Sequence, residues 1–82
     1  MEVGKLVGMN VRRIRSDKGL TQEELAELSG LSQQYISSLE TGARNPTVET
    51  LVTLAHAMRV THVDLVVIPD GVKIRVPKRK AI

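Results

Sequence analysis

Two short helices with almost no chain between them constrain this fold more than any other feature of the sequence. Thr21 and Glu24 have the spacing of a capping box, in which the hydroxyl accepts a bond from a first-turn N–H and the carboxylate reaches back. Ser32 is placed to cap the next helix. Because only Ser29–Leu31 separates the two, Thr21–Gly42 is predicted to form two helices that pack at a steep angle.

Such a crossing requires small side chains and one flexible backbone position. Ala26 and Ser29 supply the small side chains, and Gly30 can take the positive φ of a tight turn. The aliphatic residues predicted to face inward, and so to fix the second helix on the rest of the domain, are Leu25, Leu31, Ile36 and Leu39. Together these features predict a helix-turn-helix.

The outward face of the second of these helices is polar and uncharged. It carries Gln33, Gln34, Ser37, Ser38 and Thr41. Such side chains both donate and accept hydrogen bonds, and Gln can bond an adenine at N6 and N7. The pattern favours a surface that reads base edges. The plainer alternative is that Gln33 and Gln34 are good solvent-facing residues at a helix start.

Helical periodicity continues on both sides of this pair, as far as about residue 58. In the first helix the inward stripe is Val7, Val11 and Ile14, and Gly19 is predicted to end the helix in a left-handed conformation. After a loop, Thr47 is predicted to cap a fourth helix. The inward stripe of that helix is expected to comprise Val48, Leu51, Leu54, Ala55 and Met58.

Two interpretations remain open after Met58. Residues 61–64 can cap a short fifth helix over Val63–Val67, but 61–68 is also rich in β-branched residues and can form a strand. Pro69–Gly71 predicts a turn, and Val72–Val76 alternates apolar and basic residues as an edge strand would. We therefore expect a domain over 1–68 and an extension over 69–82, with a flexible basic tail from Pro77.

The net charge of +3 is unevenly distributed along the chain. Five basic residues and no acidic ones lie in 73–82, whereas 1–72 contain seven basic and nine acidic residues, a net charge of −2. Any basic surface on the body of the domain must therefore come from local placement.

Composition excludes several classes of site. Without cysteine there are no disulfides or thiolate metal sites, and with Tyr35 as the sole aromatic residue a stacking platform for single-stranded nucleic acid is disfavoured. Ser37 has no His or acidic partner at motif spacing, and the chain has neither a Gly-rich phosphate loop nor a metal-ligand cluster. We expect no catalytic residue, no metal and no cofactor.

From Val11 to Met58, in the stretch VRRIRSDKGLTQEELAELSGLSQQYISSLETGARNPTVETLVTLAHAM, the chain resembles the phage-repressor and Cro-like helix-turn-helix family, also called the XRE family. The resemblance covers well over half the chain without a break in register. It implies an all-α, five-helix lambda-repressor-like domain, here with a short C-terminal strand or hairpin as a further option. It also implies a cytoplasmic regulator of transcription, of bacterial or phage origin and associated with the nucleoid, that binds double-stranded DNA.

The resemblance also implies roles for individual residues. Gln22 would donate to a phosphate at a helix N-terminus, and Arg15 and Glu40 occupy positions that commonly form an internal salt bridge. The residues expected to contact base edges are Gln33, Gln34 and Ser38, and those expected near the sugar-phosphate backbone are Tyr35, Thr41, Arg44 and Asn45; Ser32 and Ser37 complete the predicted DNA-binding set. For Tyr35, packing on the domain edge is an equal alternative.

One such monomer reads only a few base pairs, so the leading hypothesis is a homodimeric repressor on a palindromic operator. One alternative is an antitoxin that regulates its own operon, with THVDLVVI or VKIRV pairing as a strand across the dimer and a toxin as partner. A second alternative is a protein-interaction module on the same fold. That module would favour a helix face rich in Glu or bulky apolar residues, which this sequence lacks.

Overall fold

A computed structural model of the chain describes residues 1–76 and is all-helical in its regular structure. Its elements are α1 (Val3–Asp17), α2 (Gln22–Ser29), α3 (Gln33–Glu40), α4 (Val48–Met58) and one turn of 3₁₀ helix at His62–Leu65. Within 1–76 there is no strand, only an isolated parallel bridge between Glu2 and Arg75. The predicted C-terminal strand or hairpin is therefore not formed in this part of the chain, and the tail predicted from Pro77 lies outside the described residues.

The predicted starts of α2, α3 and α4 are confirmed by their caps. The Thr21 hydroxyl accepts a bond from the Glu24 N–H at 3.0 Å, and the Thr21 N–H donates to Glu24 Oε1 at 3.0 Å. Hydrogen bonds from the Thr21 backbone and then its hydroxyl hold the pKa of Glu24 below its ordinary value. The hydroxyls of Ser32 and Thr47 also cap α3 and α4, where they accept bonds from the N–H groups of Tyr35 and Thr50.

The core is aliphatic and draws on every helix of the domain. Its fully buried side chains include Val11, Leu25, Ile36, Leu39, Leu54 and Leu65. Val48 was predicted to belong to it and is 71% exposed. The buried residues of α4 lie in its last two turns, from Leu54 to Met58, so its first turn extends beyond the core.

The turn between α2 and α3 is built as predicted around one glycine. Gly30 has a φ of +78° and its N–H donates to the Ala26 carbonyl at 2.9 Å. Ser29, expected to face inward, is half-buried, and its hydroxyl accepts a bond from the Leu31 N–H at 3.2 Å. Ser29 therefore stabilises the turn itself as well as keeping the crossing narrow.

The predicted fifth helix stops after one 3₁₀ turn. The capping box between Thr61 and Asp64 is present, yet the helix ends at Leu65. The fully buried Asn10 donates to the Leu65 and Val67 carbonyls at 3.0 and 2.9 Å, so these acceptors are bonded to α1. Pro69 further disfavours helix at the residue before it, and the β-branched run 66–68 favours extended chain.

Helix α1 lies against the end of α3 with no side chain between them. A Cβ placed on Gly8 would overlap the Leu39 carbonyl oxygen and lie 3.0 Å from the Glu40 carbonyl oxygen. One turn earlier, a Cβ on Gly4 would lie 3.0 Å from the Arg44 carbonyl oxygen. Glycine at these two positions lets α1 approach both α3 and the loop that follows it.

Candidate nucleic-acid interface

Helix α3 separates a buried face from a polar one. Ile36 and Leu39 are fully buried on the inward side. On the other side Gln33, Gln34 and Thr41 are exposed, while Ser37 and Ser38 are half-buried. The outward face thus consists of the polar, uncharged side chains predicted from the sequence, held on an element whose opposite face is anchored in the core.

A groove runs along this face toward the loop after α3. It is lined by Ser32, Gln34, Tyr35, Ser37, Ser38 and Arg44. The Arg44 guanidinium carbon lies 5.5 Å from the centre of the Tyr35 ring, which is within the range of a cation–π contact. The contact holds a cation at the edge of the groove, where a backbone phosphate would lie if bases were read from α3.

The start of α2 is tied directly to the end of α3. Gln22, the first residue of α2, donates from Nε2 to Glu40 Oε1 at 3.1 Å. A side-chain amide has two N–H donors, so one donor of Gln22 remains available beside the N-terminus of α2. That helix end carries a partial positive charge, which favours an anion.

The Glu40 carboxylate is at the centre of a three-helix network. Arg15 on α1 bonds it twice, from Nε to Oε2 at 2.7 Å and from Nη2 to Oε1 at 3.1 Å. Arg15 also donates from Nη1 to the Leu20 carbonyl at 2.7 Å. The side chains of Arg15 and Glu40 are 13% and 4% exposed, and the hydrogen bond to Glu40 raises the pKa of Arg15. The ion pair predicted for these two residues is present and fixes α1, α2 and α3 together.

The predicted contact residues do not all share one surface groove. Gln33, Thr41 and Asn45 are exposed but do not line it, and Gln22 reaches the end of α3 only through Glu40. Thr41 donates its hydroxyl proton to the Ser38 carbonyl at 2.8 Å, so that proton is engaged within α3. No sequence signal had singled out Gly4, Gly8 or Asn10, whose partners lie far along the chain.

In residues 1–76, no group of three or more His, Asp or Glu side chains is placed to hold a metal ion. Over the same range, no helix has the length and apolar character needed to cross a bilayer.

The family model HTH_3, described as "Helix-turn-helix", matches residues 11–65. The chain belongs to this helix-turn-helix family. The match spans α2, the turn and α3, and it confirms the resemblance stated from the sequence.

Proteins similar in sequence and in structure support the family assignment. The chain is 60% identical over 70 residues to the HTH-type transcriptional regulator y4dJ of Sinorhizobium fredii, covering 85% of this chain and 91% of that protein. It is 43% identical over 61 residues to control protein C.SmaI of Serratia marcescens, covering 74% and 73%. The crystal structure of the restriction-modification controller protein C.AhdI from Aeromonas hydrophila superposes with a TM-score of 0.73 at 37% identity, covering 76% of this chain and 94% of that one.

Proposed function

We propose that this helix-turn-helix protein is a sequence-specific regulator of transcription that binds double-stranded DNA, as a homodimer on a palindromic operator. The observation that carries the proposal is the exposed, uncharged polar face of α3, fixed on the core by Ile36 and Leu39. Relatives named as transcriptional regulators and control proteins support it. Repression is the simplest outcome, because occupancy of a promoter suffices and no catalytic group is required.

Helix α3 has the dimensions and chemistry for the major groove. An α-helix with its side chains is about 10–12 Å across, and the major groove is about 12 Å wide. We assign base contacts to Gln33, Gln34 and Ser38, since their amides and hydroxyl can both donate and accept. Ser32 and Ser37 line the groove together with Gln34 and Ser38.

Contacts with the DNA backbone would come from the two ends of this surface. At one end, Gln22 offers its remaining amide proton beside the N-terminus of α2. At the other end, Arg44 is held over Tyr35, with Thr41 and Asn45 exposed close by in the chain. Most of these groups are neutral, so they contribute little to the salt dependence of binding, which follows the number of phosphates neutralised.

The assignment of Gln34 is tested by Gln34→Ala. We expect binding to the cognate duplex to weaken by about 1–3 kcal/mol, and binding to random duplex DNA to change little, because a base contact acts only on the correct sequence. Titrations of both duplexes at one salt concentration measure the difference. Ser16→Ala, an exposed change on α1, is the control and should leave both affinities unaltered. Equal weakening on both duplexes would contradict a base contact by Gln34.

The homodimer is tested by selecting bound sequences from random duplex DNA. We expect a two-fold symmetric consensus whose half-sites are centred about 10 base pairs, or a multiple, apart. Sedimentation of the purified complex should give two chains per duplex. A single asymmetric site bound by one chain would overturn the dimer and leave DNA recognition by α3 intact.

An antitoxin that regulates its own operon, with a toxin as partner, is a second candidate. A relative named antitoxin PezA, from Streptococcus pneumoniae, is 30% identical over 61 residues and supports it. The strand expected to pair across a dimer is not formed within the single chain, where residues 61–76 contain a 3₁₀ turn and one isolated bridge. The protein-interaction alternative is not favoured, because the exposed face of α3 carries amides and hydroxyls rather than charged or bulky apolar groups.

A further inference from the structure

The chain after the 3₁₀ turn returns to the N-terminal end of α1. The Met1 nitrogen donates to the Lys73 carbonyl at 2.7 Å, and the Arg75 N–H donates to the Met1 carbonyl at 2.8 Å. Upstream, the two bonds from buried Asn10 to the carbonyls of residues 65 and 67 fix the start of this path. Hydrogen bonds therefore fix the path of residues 65–76 at its start and again near its end.

The side chains of this segment alternate between the domain and solvent. Val72 and Ile74 are half-buried, whereas Lys73 and Arg75 are exposed. In extended chain, residues two apart lie on the same side, so the two cations share the outward side. Arg75 also lies 3.7 Å from the Glu2 carboxylate, but its side chain is 81% exposed, so this pair is weak and leaves the guanidinium accessible.

The same end of α1 packs on the loop that follows α3. Gly4 lies against the Arg44 and Asn45 positions, and a Cβ on Gly42 would lie 3.1 Å from the Lys5 Cα. Lys5 is exposed and stands one helical turn, about 5 Å along the axis, from the residue that bridges to Arg75. The end of α1 therefore joins the cations of the C-terminal segment to the loop that carries Arg44.

We propose that Lys5, Lys73 and Arg75 form a second phosphate-binding surface, which contacts the DNA backbone beside the phosphates reached from Arg44 and Asn45. This inference rests on the proposed function. The surface contains three cations and one acid, Glu2, in a body that is otherwise net acidic. Contacts of this kind position the protein on the duplex and act equally on all sequences.

The test is the full chain carrying Lys73→Gln and Arg75→Gln. Two lost phosphate contacts should make the negative slope of log affinity against log salt shallower by about 2, and weaken cognate and random duplexes by a similar factor, on the order of several tens-fold near 0.1 M salt. Lys5→Gln alone should make the slope shallower by about 1. The backbone bonds of the segment are retained, and unchanged thermal unfolding would verify this.

The control is Lys18→Gln with Arg59→Gln, which removes the same charge elsewhere. These two residues line a common cleft with Leu28 and Met58, where α1 and α4 end. An unchanged slope in the Lys73–Arg75 variant, or an equal decrease in the control, would overturn the inference while leaving the proposed function standing. Failure of the unmodified chain to prefer any sequence would instead count against the proposed function.

Discussion

Gly8→Ala is expected to lower the free energy of unfolding by about 2 kcal/mol, although alanine is the better helix former. The added methyl would overlap the Leu39 carbonyl oxygen, and both partners are backbone, so neither can turn aside. Overpacking of this kind costs about 1–3 kcal/mol and occasionally more, and the gain in helix propensity returns at most about 1 kcal/mol. For a domain of this size the melting temperature should fall by about 8–16 °C.

Thermal and denaturant unfolding measure this loss directly. Ser16→Ala on the same helix is the control, because Ser16 is exposed and its change should shift stability by less than about 0.5 kcal/mol. Sequence-specific DNA binding should also weaken at temperatures where the variant is folded, since the added methyl group can be accommodated only if α3 moves away from α1. A melting temperature within a few degrees of the unmodified chain would show that the two helices are not in backbone contact.

Arg15→Met is expected to have the largest effect, a loss of about 3–5 kcal/mol of unfolding free energy. The Glu40 carboxylate is 4% exposed, and without Arg15 it retains only the bond from Gln22. A buried charge left without its partner costs about this much. Without Arg15, Glu40 would no longer be held in place as the acceptor for Gln22. The phosphate contact proposed for Gln22 should therefore weaken, and with it the binding to all DNA sequences.

The double variant Arg15→Met with Glu40→Leu separates the charge from the packing. With both charges removed no buried ion is left unpaired, so we expect most of the lost stability to return. Gln22 remains without its partner in this variant, so the weakened DNA binding should persist. A double variant no more stable than Arg15→Met would show that the unpaired charge of Glu40 is not the cause of the lost unfolding free energy.

Local features of the fold could be predicted from the sequence. The caps at Thr21, Ser32 and Thr47 lie next to the backbone groups they bond, within three residues, and each was placed correctly. The positive φ values of Gly19 and Gly30 follow from turns only a few residues long. These features depend only on groups within a few residues of each other, so short sequence patterns are enough to predict them.

Features set by distant partners could not be predicted. Glycine inside a helix normally destabilises that helix. Only the position of α3, whose backbone leaves no room for a Cβ, shows that Gly8 is required. The end of the 3₁₀ turn depends on Asn10, whose acceptors are 55 and 57 residues away. Of the candidate interface, the exposure of α3 followed from its periodicity, whereas the bond from Gln22 to Glu40 needed the packing of α2 on α3.

The exposure of Gln33, Gln34 and Thr41 also bears on how such a protein diverges. None of these side chains belongs to the core, and exposed substitutions usually change stability by less than about 0.5 kcal/mol. Under the base contacts proposed for Gln33 and Gln34, the target preference of a duplicated gene can therefore change without loss of the fold. The same independence makes α3 a natural place to randomise residues when new binding specificities are engineered on this scaffold.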